Sequence, residues 1–121
     1  ALAALTGPQE LLAERLNSFQ ERRDFVVAAI NATCVLDCLT PGGAFYVYPS
    51  CSGTFGLTTP DGKTIQDDAS FCEYLLDYGR VALVPGRAFG LPGHFRLSYA
   101  YTPDELKEGC RRIADAVAAL L

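Results

Sequence analysis

The sequence predicts an α+β fold: a two-layer sandwich with helices on one face of a mostly antiparallel sheet of about four strands, and a long N-terminal helix. Three observations lead there. Residues 9–32 are rich in helix formers behind a Pro8 start. Short runs of β-branched and aromatic residues between 35 and 99 are separated by Gly and Pro. Thr102-Pro103-Asp104-Glu105 then opens a last helix with a single apolar stripe. With 121 residues, half of them hydrophobic, the chain can build one core, and a single domain is expected.

The apolar stub Ala1-Leu2-Ala3-Ala4-Leu5 stops at Gly7-Pro8 with nothing ahead of it to pack against, and reads as the cut end of something longer. The first helix is expected from about Gln9 to Ala32, about 36 Å at 1.5 Å per residue. Leu12, Leu16, Phe19, Val26, Val27 and Ile30 fall near helical spacing, while Glu21 to Asp24 make its middle wet. Such length in a small domain suggests a strut reaching toward another body. Val35–Leu39 and Ala44–Tyr48 read as strands, and Thr40-Pro41-Gly42-Gly43 as the tight turn of a hairpin between them. Residues 49–66 carry a Pro60-Asp61-Gly62 turn and little periodicity, so an ordered loop with an exposed tip is expected.

Asp67 or Asp68 can cap a second helix whose Phe71, Tyr74, Leu75 and Tyr78 form one face, and Gly79 can end it. Val81–Val84 reads as a short buried strand, and residues 85–93, with three glycines and two prolines, as irregular. His94–Tyr99 is the next strand. Its period of two places His94, Arg96 and Ser98 on one face and Phe95, Leu97 and Tyr99 on the other. The last helix stripes Leu106, Cys110, Ile113, Val117 and Leu120 onto the sheet.

A net charge of −4 with interspersed signs offers no basic stripe for nucleic acid and no polybasic arm for membrane. No apolar run reaches the ~20 residues of a bilayer span, and no secretory signal pattern is present, so a cytoplasmic protein is expected. Five cysteines on irregular spacings predict reduced, mostly buried thiols. His94 is the only histidine, and no cysteine lies in a nucleophile motif, so a Cys/His hydrolase is disfavoured. Cys34 and Cys38 have no second pair with which to hold zinc, and no metal site is expected. Residues 85–93 lack the order of a phosphate cradle. Asp67-Asp68 reads as a helix cap with a solvated neighbour. Arg96 stands apart: no acid lies two positions away on its own strand face. It either pairs with an acid from elsewhere or aims a planar fork at a ligand carboxylate, and pattern alone does not choose.

Three motifs in register narrow the choice. Gly43-Ala44-Phe45-Tyr46-Val47-Tyr48-Pro49, Val81-Ala82-Leu83-Val84-Pro85-Gly86 with Phe89-Gly90, and Phe95-Arg96-Leu97-Ser98-Tyr99-Ala100 together resemble the C-terminal small domain of class I aminotransferases, which use pyridoxal phosphate. The likeness runs from about Thr6 to Leu121 and is greatest to bacterial aspartate-type members. It implies that residues 1–121 are that small domain without the large cofactor-binding domain. It also implies that Arg96 binds the α-carboxylate of an amino acid or 2-oxo acid, and that Phe89 borders the substrate.

The family's cofactor-bonding lysine lies upstream, and neither Lys63 nor Lys107 matches it. No catalytic or cofactor-binding residue is therefore expected here, no bound cofactor, and no activity from the chain alone. The parent implied by the resemblance is a homodimer moving amino groups between an amino acid, aspartate in the nearest members, and a 2-oxo acid. The alternative is a free-standing carboxylate-binding or regulatory module of the same fold.

Overall fold

A computed structural model describes residues 1–121. In chain order the elements are α1 (Leu2–Thr6), α2 (Glu10–Asn31), β1 (Tyr46–Val47), α3 (Asp68–Asp77), β2 (Val84–Pro85), β3 (Phe95–Ser98) and α4 (Pro103–Ala118), with 3-10 turns at Ser52–Thr54 and Gly86–Phe89. The class is α+β, as expected. The sheet has three strands rather than about four, in the order β1-β3-β2, and both pairings are antiparallel.

The expected hairpin does not form, because Asn31 at the end of α2 captures the chain first. Its side chain accepts from the Cys38 N–H at 2.8 Å and donates to the Cys38 carbonyl at 3.0 Å, taking both main-chain groups that a ladder would need. Only an isolated bridge between Asp37 and Ser50 remains of the predicted strand 35–39. β1 pairs instead with β3, Tyr46 opposite Ser98 and Val47 opposite Leu97. The predicted strand 81–84 is likewise cut to Val84. The Val81 N–H is bonded to the Leu75 carbonyl at 3.0 Å, so Val81 completes the end of α3 instead of extending the sheet.

Local signals hold for the helices. Asp67 caps α3 by accepting from the Ser70 N–H at 2.8 Å, and Ser70 Oγ accepts in return from the Asp67 N–H at 3.0 Å. Thr102 and Glu105 make the corresponding box at α4, with Pro103 in the first turn. The apolar stub forms α1, its end held by Gln9 Nε2 donating to the Ala4 and Gly7 carbonyls. Every residue of α2 from Glu10 to Asn17 is exposed, whereas Val26, Val27 and Ile30 are buried.

The alternation of β3 decides where the helices lie. Phe95 meets Phe71 of α3 with ring centroids 5.5 Å apart, and Tyr99, just past the strand, meets Phe19 of α2 at 6.2 Å. Both rings come from the same strand face, so α2 and α3 cover that face. Tyr74 on α3 donates to the Ala116 carbonyl of α4 at 2.8 Å, and α4 packs along α2. Full burial of each such ring stabilises the fold by about 2 kcal/mol. The opposite face of β3 is left for Arg96. No helix is long and apolar enough to cross a membrane.

Candidate functional site

Arg96 sits in the middle strand of the sheet, opposite Val84 of β2. Its guanidinium carbon lies 4.5 Å from the Phe89 ring centre and 5.7 Å from that of Tyr46. Tyr46 comes from β1, and its partner Ser98 shares the Arg96 face. Cation–π attraction of this kind contributes about 0.5–1 kcal/mol per ring at an exposed site and holds the guanidinium in place. Tyr46 is 39% exposed and Phe89 51%, so the surface is open to solvent. The chain's eight ion pairs all join other groups, which leaves Arg96 with no acidic partner. The internal salt bridge left open by sequence pattern is absent.

Phe89 is presented by the 3-10 turn Gly86–Phe89. Gly86 is required there: a Cβ would come within 2.7 Å of the His94 carbonyl oxygen and closer still to that of Leu91. Gly90 closes the turn with φ 80, in the left-handed region that favours glycine. Tyr48 braces the turn from β1's extension, its hydroxyl donating to the Gly86 carbonyl at 2.9 Å and its ring edge-on to Phe89 at 6.2 Å. The other side of Tyr48 stacks on His94 at 5.8 Å. Burial, and then the Asp68 carboxylate, push the Tyr48 hydroxyl above its ordinary value against the lowering pull of Arg96, so it stays a neutral donor.

The turn is fixed at its other end by a carboxylate that sequence reading misplaced. Asp68 is not solvated; its side chain is 1% exposed. Its Oδ2 accepts from the Arg87 N–H at 2.8 Å, and its Oδ1 accepts from Arg87 Nε at 3.1 Å and Nη2 at 2.8 Å. Arg87 Nη2 also meets Asp67 Oδ2 at 2.7 Å. The Arg87 hydrogen bonds hold the Asp68 carboxyl down at about 2 against the opposing effect of burial. The acid and the arginine are 19 residues apart, and no local pattern announces the pair.

The residues present do not fit pyridoxal phosphate. Lys63 and Lys107 are both largely exposed and lie beside carboxylates of their own elements, Asp61 at 3.3 Å and Asp104 at 3.9 Å. No group of three or more His, Cys, Asp or Glu side chains is placed to hold a metal ion. Two concavities, of about 410 and 540 Å³, are lined by Tyr74 and Tyr78 with the 59–65 loop and by Leu97 and Tyr101 with α4. Neither includes Arg96 or Phe89.

An unpaired arginine on the bare face of an antiparallel sheet, with an aromatic turn beside it, is an arrangement suited to gripping a carboxylate. The chain belongs to the family of class I and II aminotransferases, whose profile, "Aminotransferase class I and II", matches residues 1–113. Within it, the chain is 54% identical to an aspartate aminotransferase of Rhizobium meliloti over 116 residues, which is 96% of this chain and 28% of that protein. It is 48% identical to an aspartate/prephenate aminotransferase of Cereibacter sphaeroides, over 99% of this chain and 30% of that one.

Among solved structures, the aspartate aminotransferase from Rhizobium meliloti superposes with a TM-score of 0.96 at 53% identity, covering 98% of this chain and 30% of that one. The alanine aminotransferase from Pyrococcus furiosus superposes at 0.81 with 28% identity, over 96% and 28%. The chain thus spans under a third of the length of the relatives it matches. Full-length members of the family use pyridoxal phosphate.

Proposed function

We propose that residues 1–121 are the C-terminal, substrate-gripping domain of a pyridoxal-phosphate-dependent aminotransferase that moves an amino group between an amino acid, aspartate by its relatives, and a 2-oxo acid. Arg96 binds the substrate α-carboxylate through two parallel N–H···O bonds, and Phe89 borders the bound substrate. The observation that carries this reading is the Arg96 guanidinium, held against two aromatic rings on an open face and left without an acid. An arginine placed for stability alone would be expected to have one.

In this reading the cofactor and its lysine belong to other parts of the parent protein, and a second subunit completes a homodimer. This chain contributes binding and orientation, not proton transfer, and has no transaminase activity by itself. The exposed leucines 2, 5, 11, 12 and 16 support a role within a larger body, since a self-contained carboxylate-binding module gains nothing from leaving them in water.

The test is kinetic, in the full-length protein. Arg96→Ala and Arg96→Lys should each lose at least about 2 kcal/mol of transition-state stabilisation, roughly thirtyfold in kcat/KM, with Ala the worse of the two. Lysine fails because a point charge on a flexible stem does not reproduce the planar fork. Near-normal kcat/KM in both variants would overturn the assignment.

A further inference from the structure

Arg87 lies within the Gly86–Phe89 turn and Arg96 packs against the ring at its end, but the two differ in what they hold. Arg96 has no carboxylate, whereas Arg87 has two, Asp67 and Asp68, so its charge is already neutralised within the fold. Asp68 bonds the backbone and the side chain of Arg87 at the start of the turn, and the Gly86 N–H donates to the His94 carbonyl at 2.7 Å, just before β3. Arg87 precedes Phe89 by two residues, and His94 precedes Arg96 by two. The buried carboxylate on α3 therefore anchors the turn, and the Gly86–His94 bond joins the turn to β3, where the Phe89 ring and the Arg96 guanidinium meet 4.5 Å apart.

We infer that the Asp68–Arg87 pair is a positioning device for the carboxylate site: it fixes the Gly86–Phe89 turn on α3, and through the Phe89 ring it fixes the direction of the Arg96 guanidinium. Neither residue touches the substrate. The acid that holds the turn is buried, while nearly half of the arginine side chain stays exposed. The inference rests on the assignment of Arg96 as the carboxylate ligand.

The experiment measures equilibrium binding of succinate, a dicarboxylate without an amino group, to the full-length protein by calorimetry. The variants are Arg87→Gln, Asp68→Asn, Phe89→Ala, Arg96→Ala and the double variant Arg87→Gln/Phe89→Ala, with thermal unfolding followed in parallel. Arg87→Gln should weaken succinate binding about fivefold while the protein remains folded, and should raise KM more than it lowers kcat. Asp68→Asn should do the same where it folds; Arg87→Gln, at a half-exposed position, decides the matter if it does not.

The double variant should bind no more weakly than Phe89→Ala alone, because with the ring gone the turn has nothing left to transmit. Unchanged binding by Arg87→Gln overturns the inference. So does a full Arg87→Gln penalty in the Phe89→Ala background, which would mark a direct effect of charge. If Arg96→Ala itself binds succinate normally, the Arg96 assignment falls and this inference with it; if Arg96→Ala loses binding while Arg87→Gln does not, only the inference falls.

Discussion

Asp68→Asn tests how much one buried carboxylate holds together. At present Oδ2 accepts from the Arg87 N–H, and Oδ1 accepts from both Nε and Nη2 of the same residue. An asparagine can keep only one of these oxygens. Either its amide nitrogen faces the Arg87 N–H, donor against donor, or it faces the guanidinium. Hydrogen bonds to charged groups contribute about 1.5–3 kcal/mol, and the half-exposed guanidinium moves the expected loss toward the lower part of that range, about 2 kcal/mol. For a domain of this size that corresponds to a fall in Tm of about 6–10 °C.

The effect carries a pH signature. The Asp68 carboxyl is lowered from an ordinary 3.8 to about 2 in the folded chain, so its contribution is fully present above the unfolded value and is lost as pH falls through the folded one. Urea unfolding of parent and variant at pH 7, 5, 4, 3 and 2.5 should give a constant stability difference down to about pH 4 and a shrinking one below it. A variant as stable as the parent at pH 7, or a difference flat from pH 5 to 2.5, would refute the assignment of the stabilisation to this ionised pair.

Three further outcomes follow from individual residues. Thr102→Ala removes the hydroxyl that accepts from the Glu105 N–H and should cost about 1 kcal/mol by urea titration, with Thr102→Ser retaining most of the stability. Gly86→Ala drives a Cβ into the His94 and Leu91 carbonyls and should cost about 1–3 kcal/mol, together with the shielding of the Gly86–Phe89 turn from proteolysis. All five cysteines are unpaired, but only Cys34 is exposed, so a thiol reagent should titrate one group quickly in the native chain and five in denaturant without reductant. Burial pushes the Cys38 and Cys110 thiols up to about 11 and Cys51 and Cys72 to about 12, which keeps them protonated and slow at neutral pH.

What the amino-acid sequence determined by itself is short in range. The capping box at Thr102 spans four residues, Asp67 and Ser70 likewise, and the two-residue alternation from His94 to Tyr99 separates the polar face from the core without reference to any other element. The motif around Arg96 could also be recognised, because it is contiguous and keeps its interval from two others. Tertiary structure decided what depends on chain segments far apart meeting in space. Val35–Leu39 has strand-like residues, yet the Asn31 side chain, seven positions before Cys38, takes both main-chain groups of that residue and leaves only the Asp37–Ser50 bridge.

The pairing of Tyr46 with Ser98 and the burial of Asp68 by Arg87 follow the same logic, since each requires a closed loop whose outcome depends on which side chains fill the space between. Asp68 looks in sequence like its neighbour, a surface carboxylate at a helix start. Only the packed turn makes it buried and ionised, because an acid's environment is a property of everything around it and not of the residues beside it in the chain.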